Sequence, residues 1–132
     1  MTIDEIYNII DYAYPRIKEH YGKGKNSLPF PPIELWKDIY ARLSGDPEAE
    51  GEMSKKAKAE YDEETNEIYI YYPNVESEED LLRSLVHEFT HYRQDISEFK
   101  KLYTQKYDYD TNPYEIEAHK AEEDWYLFSQ NK

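Results

Sequence analysis

The stretch from Glu78 to Ile96 constrains the fold more than any other part of the chain, because its apolar residues fit one arrangement. Leu81, Leu82, Leu85, Val86, Phe89, Tyr92 and Ile96 recur at helical spacing and gather on one side of a helix. Ser77 followed by Asp80 is an N-cap signature, and Glu78 and Glu79 suit the positive end of the helix dipole. The pattern predicts a helix from about Glu78 to Ile96 with its apolar side against a core. His87 and His91 fall nearly opposite that side, so neither reads as a core histidine. Their ordinary role would be to decorate an exposed polar face.

The sequence His87-Glu88-Phe89-Thr90-His91 gives that face a chemical meaning, for it is an H-E-x-x-H motif. Residues four apart lie one turn apart, so both imidazoles can reach one cation. Glu88, displaced by about 100° from the first histidine, can reach a metal-bound water without being a ligand. Two histidines leave a zinc site one protein ligand short. The remaining histidines are His20 and His119, and acidic residues are many. The strongest segment is Asn112-Pro113-Tyr114-Glu115-Ile116-Glu117-Ala118-His119, where Asn112 caps a helix, Pro113 takes its first position and Glu115 its third. On this helix, predicted to run through Trp125 to about Phe128, Glu115, His119, Glu122 and Tyr126 form one stripe. Tyr114, Ala118, Ala121, Trp125 and Phe128 form the adjacent apolar face. Glu115, Glu117 and His119 are all candidates for the third ligand. Glu115 also has a purely structural alternative, folding back on Asn112 as a capping box.

The rest of the chain supplies the scaffold. Ile3, Ile6, Tyr7, Ile10, Tyr14 and Ile17 mark a helix to about Tyr21, kinked or split at Pro15, and a glycine-containing turn follows. After Pro29, Pro31 and Pro32, the residues Ile33, Leu35, Trp36, Ile39, Tyr40 and Leu43 predict a second helix ending at Gly45. Asp46 to Glu52 reads as an acidic loop. Ala57 to Tyr61 and Glu67 to Tyr72 flank Asp62-Glu63-Glu64-Thr65-Asn66 and predict a β-hairpin. The class is α+β: a short antiparallel sheet and about four helices in one domain over residues 1–132.

Composition excludes several functions. A net charge of −13 repels nucleic acid and anionic lipid, and there is no basic stripe to offset it. With no cysteine there can be no disulfide, thiolate zinc finger or cysteine nucleophile. No signal-like start and no long apolar span occurs, so a soluble, cytoplasmic protein is expected. The 15 tyrosines let a chain of modest apolar content still build a core.

His87-Glu88-Phe89-Thr90-His91 followed by Glu115-Ile116-Glu117-Ala118-His119 resembles the gluzincins, zinc metallopeptidases with a glutamate ligand, in their minimal (minigluzincin) form. In that family the ligand glutamate precedes a small residue by three and often an Asp by four. Ala118 fits the first, whereas His119 stands where the Asp would be. The resemblance implies one Zn2+ held by His87, His91 and Glu115, with Glu117 and His119 as rivals for the third place. It also implies Glu88 as general base, a zincin-like active-site helix followed by a glutamate helix, and a site between the third and fourth helices beneath the sheet edge. It assigns Ile68 to Tyr72 as an edge strand for extended substrate. An oxyanion-binding Tyr or His is implied as well, drawn from Tyr103, Tyr107, Tyr109, Tyr114 or His119; His119 could instead orient a ligand. The implied activity is zinc-dependent hydrolysis of a peptide or protein substrate. The alternative is a latent or inactive zincin-like regulatory or interaction module, a zymogen-like form with self-association or self-inhibition by a chain terminus. An acidic helical binding module without metal is a third reading.

Overall fold

The computed structural model describes residues 1–24, 28–47, 57–94 and 112–130. The chain forms α1 (Ile3–Tyr21), β1 (Ile33–Trp36), α2 (Ile39–Ser44), β2 (Ala59–Asp62), β3 (Glu67–Tyr71), α3 (Glu78–Arg93) and α4 (Pro113–Ala121). A short 3-10 turn, Tyr72–Asn74, follows β3, and a 3-10 segment, Glu122–Phe128, continues from α4. The α+β class holds: among the described residues there are four helices and one small three-stranded sheet. Among the described residues no helix is long and apolar enough to cross a membrane.

The core lies between α1, the sheet and α3. Ile6, Ile10, Ala13, Tyr14 and Ile17 of α1 face Ile68 and Ile70 of β3 and the Leu81, Leu82, Leu85, Val86, Phe89 side of α3. Aromatic rings close the packing: Phe89 meets Tyr14 edge-on at 6.0 Å and Tyr92 at 5.2 Å. Their buried hydroxyls find backbone acceptors, Tyr14 donating to Pro31 O and Tyr92 to Leu28 O. Residues 28–31, ahead of β1, are thereby pinned to the core. Gly24 makes this docking feasible, since a Cβ there would lie 2.6 Å from the Arg93 Cα at the end of α3.

α1 runs unbroken through Pro15, begun by a capping box in which Thr2 and Glu5 satisfy each other's backbone N–H. α3 begins at Ser77, whose hydroxyl accepts from Asp80 N at 3.1 Å. α3 ends at Arg93, and Ile96 lies outside the described residues.

The predicted helix from Ile33 to Leu43 is corrected to a strand and a single short helix. Pro31 and Pro32 hold the backbone extended, and Ile33 and Leu35 alternate as strand residues do. Ile68 N donates to Pro32 O at 2.9 Å, so β3 captures the segment through its ladder. Asp38 then caps α2 by accepting from Ala41 N at 2.7 Å. Tyr40 and Leu43, counted toward an apolar face, are exposed.

The sheet order is β1-β3-β2, with β1 parallel and β2 antiparallel to β3. The hairpin is thus present, but the sheet is mixed rather than wholly antiparallel. β3, expected as the edge strand for substrate, is the central strand and has no free edge. The edge beside α3 belongs to β2.

Candidate metal centre

Local sequence explains how two helices meet at the H-E-x-x-H face. Asn112 is buried and accepts from Tyr114 N at 2.9 Å, and Pro113 occupies the first helical position, so α4 starts at a fixed point. Glu115 and Ala118 are the buried residues of α4. The small Ala118 side chain lets α4 approach α3 closely. The 3-10 segment then continues across α3. The H-E-x-x-H face is therefore covered rather than an exposed polar face: His87 is 6% exposed, His91 9% and Glu115 1%.

Three donor atoms converge there. His87 Nε2 lies 2.6 Å from Glu115 Oε1, His91 Nε2 lies 3.2 Å from the same oxygen, and the two nitrogens are 3.2 Å apart. The Glu115 carboxylate thus faces the imidazoles. Glu117 instead accepts from Gln94 Nε2 at 2.8 Å, away from the cluster.

The outer nitrogens are braced by Gln94 and Glu122, neither of which is assigned a role from the motifs. His91 Nδ1 lies 2.7 Å from Gln94 Oε1. The Gln94 amide orientation is settled by its Nε2, which donates to Tyr114 O and Glu117. Its oxygen must therefore accept, and His91 Nδ1 carries the proton. His87 Nδ1 lies 2.7 Å from Glu122 Oε2, a carboxylate that hydrogen bonds and ion pairing with His87 keep ionised below the usual range despite burial. Both rings thus carry hydrogen on Nδ1 and turn Nε2 toward Glu115. Gln94 lies one turn beyond His91, and Glu122 two turns beyond Glu115 on the stripe already noted. Spacing along each helix places them on the site-facing side, but not in a bracing role.

Charge makes such a cluster able to take a cation. Glu88, Glu115 and Glu122 gather around imidazoles, while the cations in the adjacent wall, Lys58 and Arg83, pair with Asp80 and Glu79. Burial works against a charged imidazole at His87, but hydrogen bonds to Glu115 and Glu122 overcome it and push its pKa up to about 10. His91 is raised for the same balance of reasons, with Glu115 as its main partner. Glu115, though buried, is held well below the usual carboxylate range by the two imidazoles. The buried His87, His91 and Glu115 form a group that could hold a metal ion.

Protons and metal compete for these nitrogens, and the sign follows. Below about pH 10 the metal-free group carries a proton on His87 that the metal-bound group must lose. Affinity for a divalent ion is therefore expected to rise with pH, by about tenfold per unit for each proton released. Calorimetric titration in buffers of different ionisation heat counts those protons. Binding near neutral pH that releases none would contradict the paired-imidazole state.

Glu88 is half-buried and stands outside the triplet. Its Oε1 accepts from Tyr61 N on β2 at 3.0 Å, and burial lifts its carboxyl above the usual range. It lines a cleft of about 450 Å³ together with Lys58, Ala59, His87, His119 and Glu122. The cleft borders the outer edge of β2. Tyr71 N donates to Lys58 O, which in this register turns the N–H and C=O of Ala59 and Tyr61 away from β3. Tyr61 N–H is taken by Glu88, and Ala59 faces the cleft.

The other candidates are dispersed. Tyr103, Tyr107 and Tyr109 lie outside the described residues, and Tyr114 lines a separate cavity with Lys23, Arg93 and Glu117. His20 packs edge-on against Phe128, 5.6 Å between ring centres, far along the chain from the donor triplet. Phe128 itself is buried in the core. No protein-family model, no curated protein and no solved structure matches this chain.

Proposed function

We propose that this chain is a minimal gluzincin-type zinc metallopeptidase in which His87, His91 and Glu115 hold one zinc ion and Glu88 is the general base. The observation that carries the reading is the convergence of two imidazole nitrogens and one carboxylate oxygen within 3.2 Å of one another, each imidazole braced at its far side. Donors at zinc's usual bond lengths stand about 3.3 Å apart in a tetrahedron, so two of the three spacings already fit and the third opens slightly. Two imidazoles and a carboxylate, with no thiolate, are a donor set of catalytic rather than closed structural zinc sites. Outer partners of the kind given by Glu122 and Gln94 are what orient ligating histidines. The two motifs and their order along the chain are those of the gluzincin resemblance.

Held by His87, His91 and Glu115, zinc would supply acidification of a water molecule and polarisation of a carbonyl. The chain supplies the remaining functions. Glu88, aimed by the Tyr61 N–H and facing the cleft, takes the proton of the attacking nucleophile and returns it to the departing amine. The Ala59 backbone on the outer edge of β2 offers a donor and an acceptor to an extended peptide, replacing the edge role first assigned to Ile68–Tyr72. The purified chain is expected to contain zinc and to cleave peptide, losing cleavage to a chelator and regaining it with added zinc. Cleavage that survives complete chelation would sink the reading.

A latent zinc-holding module is the second reading. It is favoured by His119, an imidazole at the mouth of the site, and it predicts bound zinc without cleavage.

A further inference from the structure

His119 stands where the family resemblance would put an aspartate, and its hydrogen bonding gives it a different use. Glu122 Oε2 is approached by two imidazole nitrogens, His87 Nδ1 at 2.7 Å and His119 Nδ1 at 3.0 Å. An ionised carboxylate oxygen can only accept, so both nitrogens donate. One carboxylate therefore holds the Nδ1 proton of both rings, leaving Nε2 of each as the nitrogen a metal ion would take, at His87 once the proton shared with Glu115 is lost. The His87 Nε2 lies 2.6 Å from Glu115 Oε1 and the His119 Nε2 lies 4.0 Å from that same atom. Ring positions agree. The His119 ring centre is 4.7 Å from that of His87, as close as the 4.9 Å between His87 and His91. The outer donors of His87, His119 and Glu122 are also near enough to surround an ion, but the protons on both Nδ1 atoms commit that side to hydrogen bonding.

We propose that His119 is a fourth, displaceable protein ligand of the ion, so that the resting centre has three imidazole nitrogens and one carboxylate. This rests on the zinc reading above and deepens it. The His119 Nε2 needs to close on Glu115 Oε1 only from 4.0 Å to about 3.3 Å, the spacing of neighbouring zinc ligands. Its side chain is 56% exposed, so it can swing without disturbing the core. Ligation by His119 fills the position that a nucleophilic water needs. Its departure, when a substrate carbonyl or a water takes the place, opens the centre.

X-ray absorption on the zinc-loaded chain counts imidazole ligands by their ring scattering. Three are expected in the native chain and two in His119→Ala, with competition against a chromophoric chelator showing zinc affinity lowered by about tenfold or more. Because the side chain is exposed, the variant is expected to fold as the native chain does, which circular dichroism checks. Two imidazoles in both proteins would overturn the fourth-ligand role and leave the three-residue site standing. Failure of the native chain to retain zinc would overturn the site itself, and this proposal with it.

Discussion

Glu88→Gln is expected to lower peptide hydrolysis by about 10²–10⁴-fold while zinc stays bound, the range that a positioned general base contributes. The substitution isolates one property. Glutamine keeps the length and the oxygen that accepts from Tyr61 N, so the tie between α3 and β2 survives. The metal donors are also spared, because Glu88 lies outside the group formed by His87, His91 and Glu115. What disappears is a group able to take a proton. A carboxyl lifted above its usual range by burial is a stronger base than a solvated one, which suits this role. Zinc content by elemental analysis and turnover on a fluorogenic peptide must be measured on the same sample. Near-native turnover in the zinc-loaded variant would assign the base elsewhere.

The parts of this fold that the sequence announces are those decided by local chemistry. The Ser77 and Asn112 caps, the Pro113 start and the apolar stripe of α3 from Leu81 to Tyr92 all depend on neighbours within one or two turns, and each stands as read. Ile33–Trp36 was misread because its apolar residues satisfy helical and strand spacing alike over so short a run. The deciding partner, β3, lies more than thirty residues on. The edge role that the resemblance implied for Ile68–Tyr72 fails on the same pairing, since β1 and β2 flank β3 on both sides. The histidines show the same limit. Their face of α3 is polar by composition, and only packing of α4 and the following 3-10 segment makes it buried. His87, His91 and Glu115 could be nominated from spacing and resemblance. Gln94 and Glu122 could not be assigned a task, because bracing an imidazole from behind depends on where a second helix comes to rest.

Glu115→Ala is expected to weaken zinc binding by more than about 10²-fold, exceeding the cost usually seen on losing an outer partner. The Glu115 Oε1 atom is shared by both imidazoles, at 2.6 and 3.2 Å, and its side chain is 1% exposed, so water cannot simply step into an open surface position. Glu117→Ala is the matched control. Glu117 touches the Gln94 amide and none of the three donor atoms, and its loss should cost far less. The same contrast should appear in stability. Free zinc at a hundredfold over its Kd stabilises a folded chain by about 2.7 kcal/mol, on the order of 10 °C in Tm for a domain of this size. That zinc-dependent rise should persist in Glu117→Ala and vanish in Glu115→Ala at the same zinc concentration. A reversal of the two variants would move the third ligand one turn-face away, to Glu117. Its carboxylate would then have to leave Gln94 and drive Glu115 from between the histidines, which at 2.6 Å and full burial is the contact least able to yield.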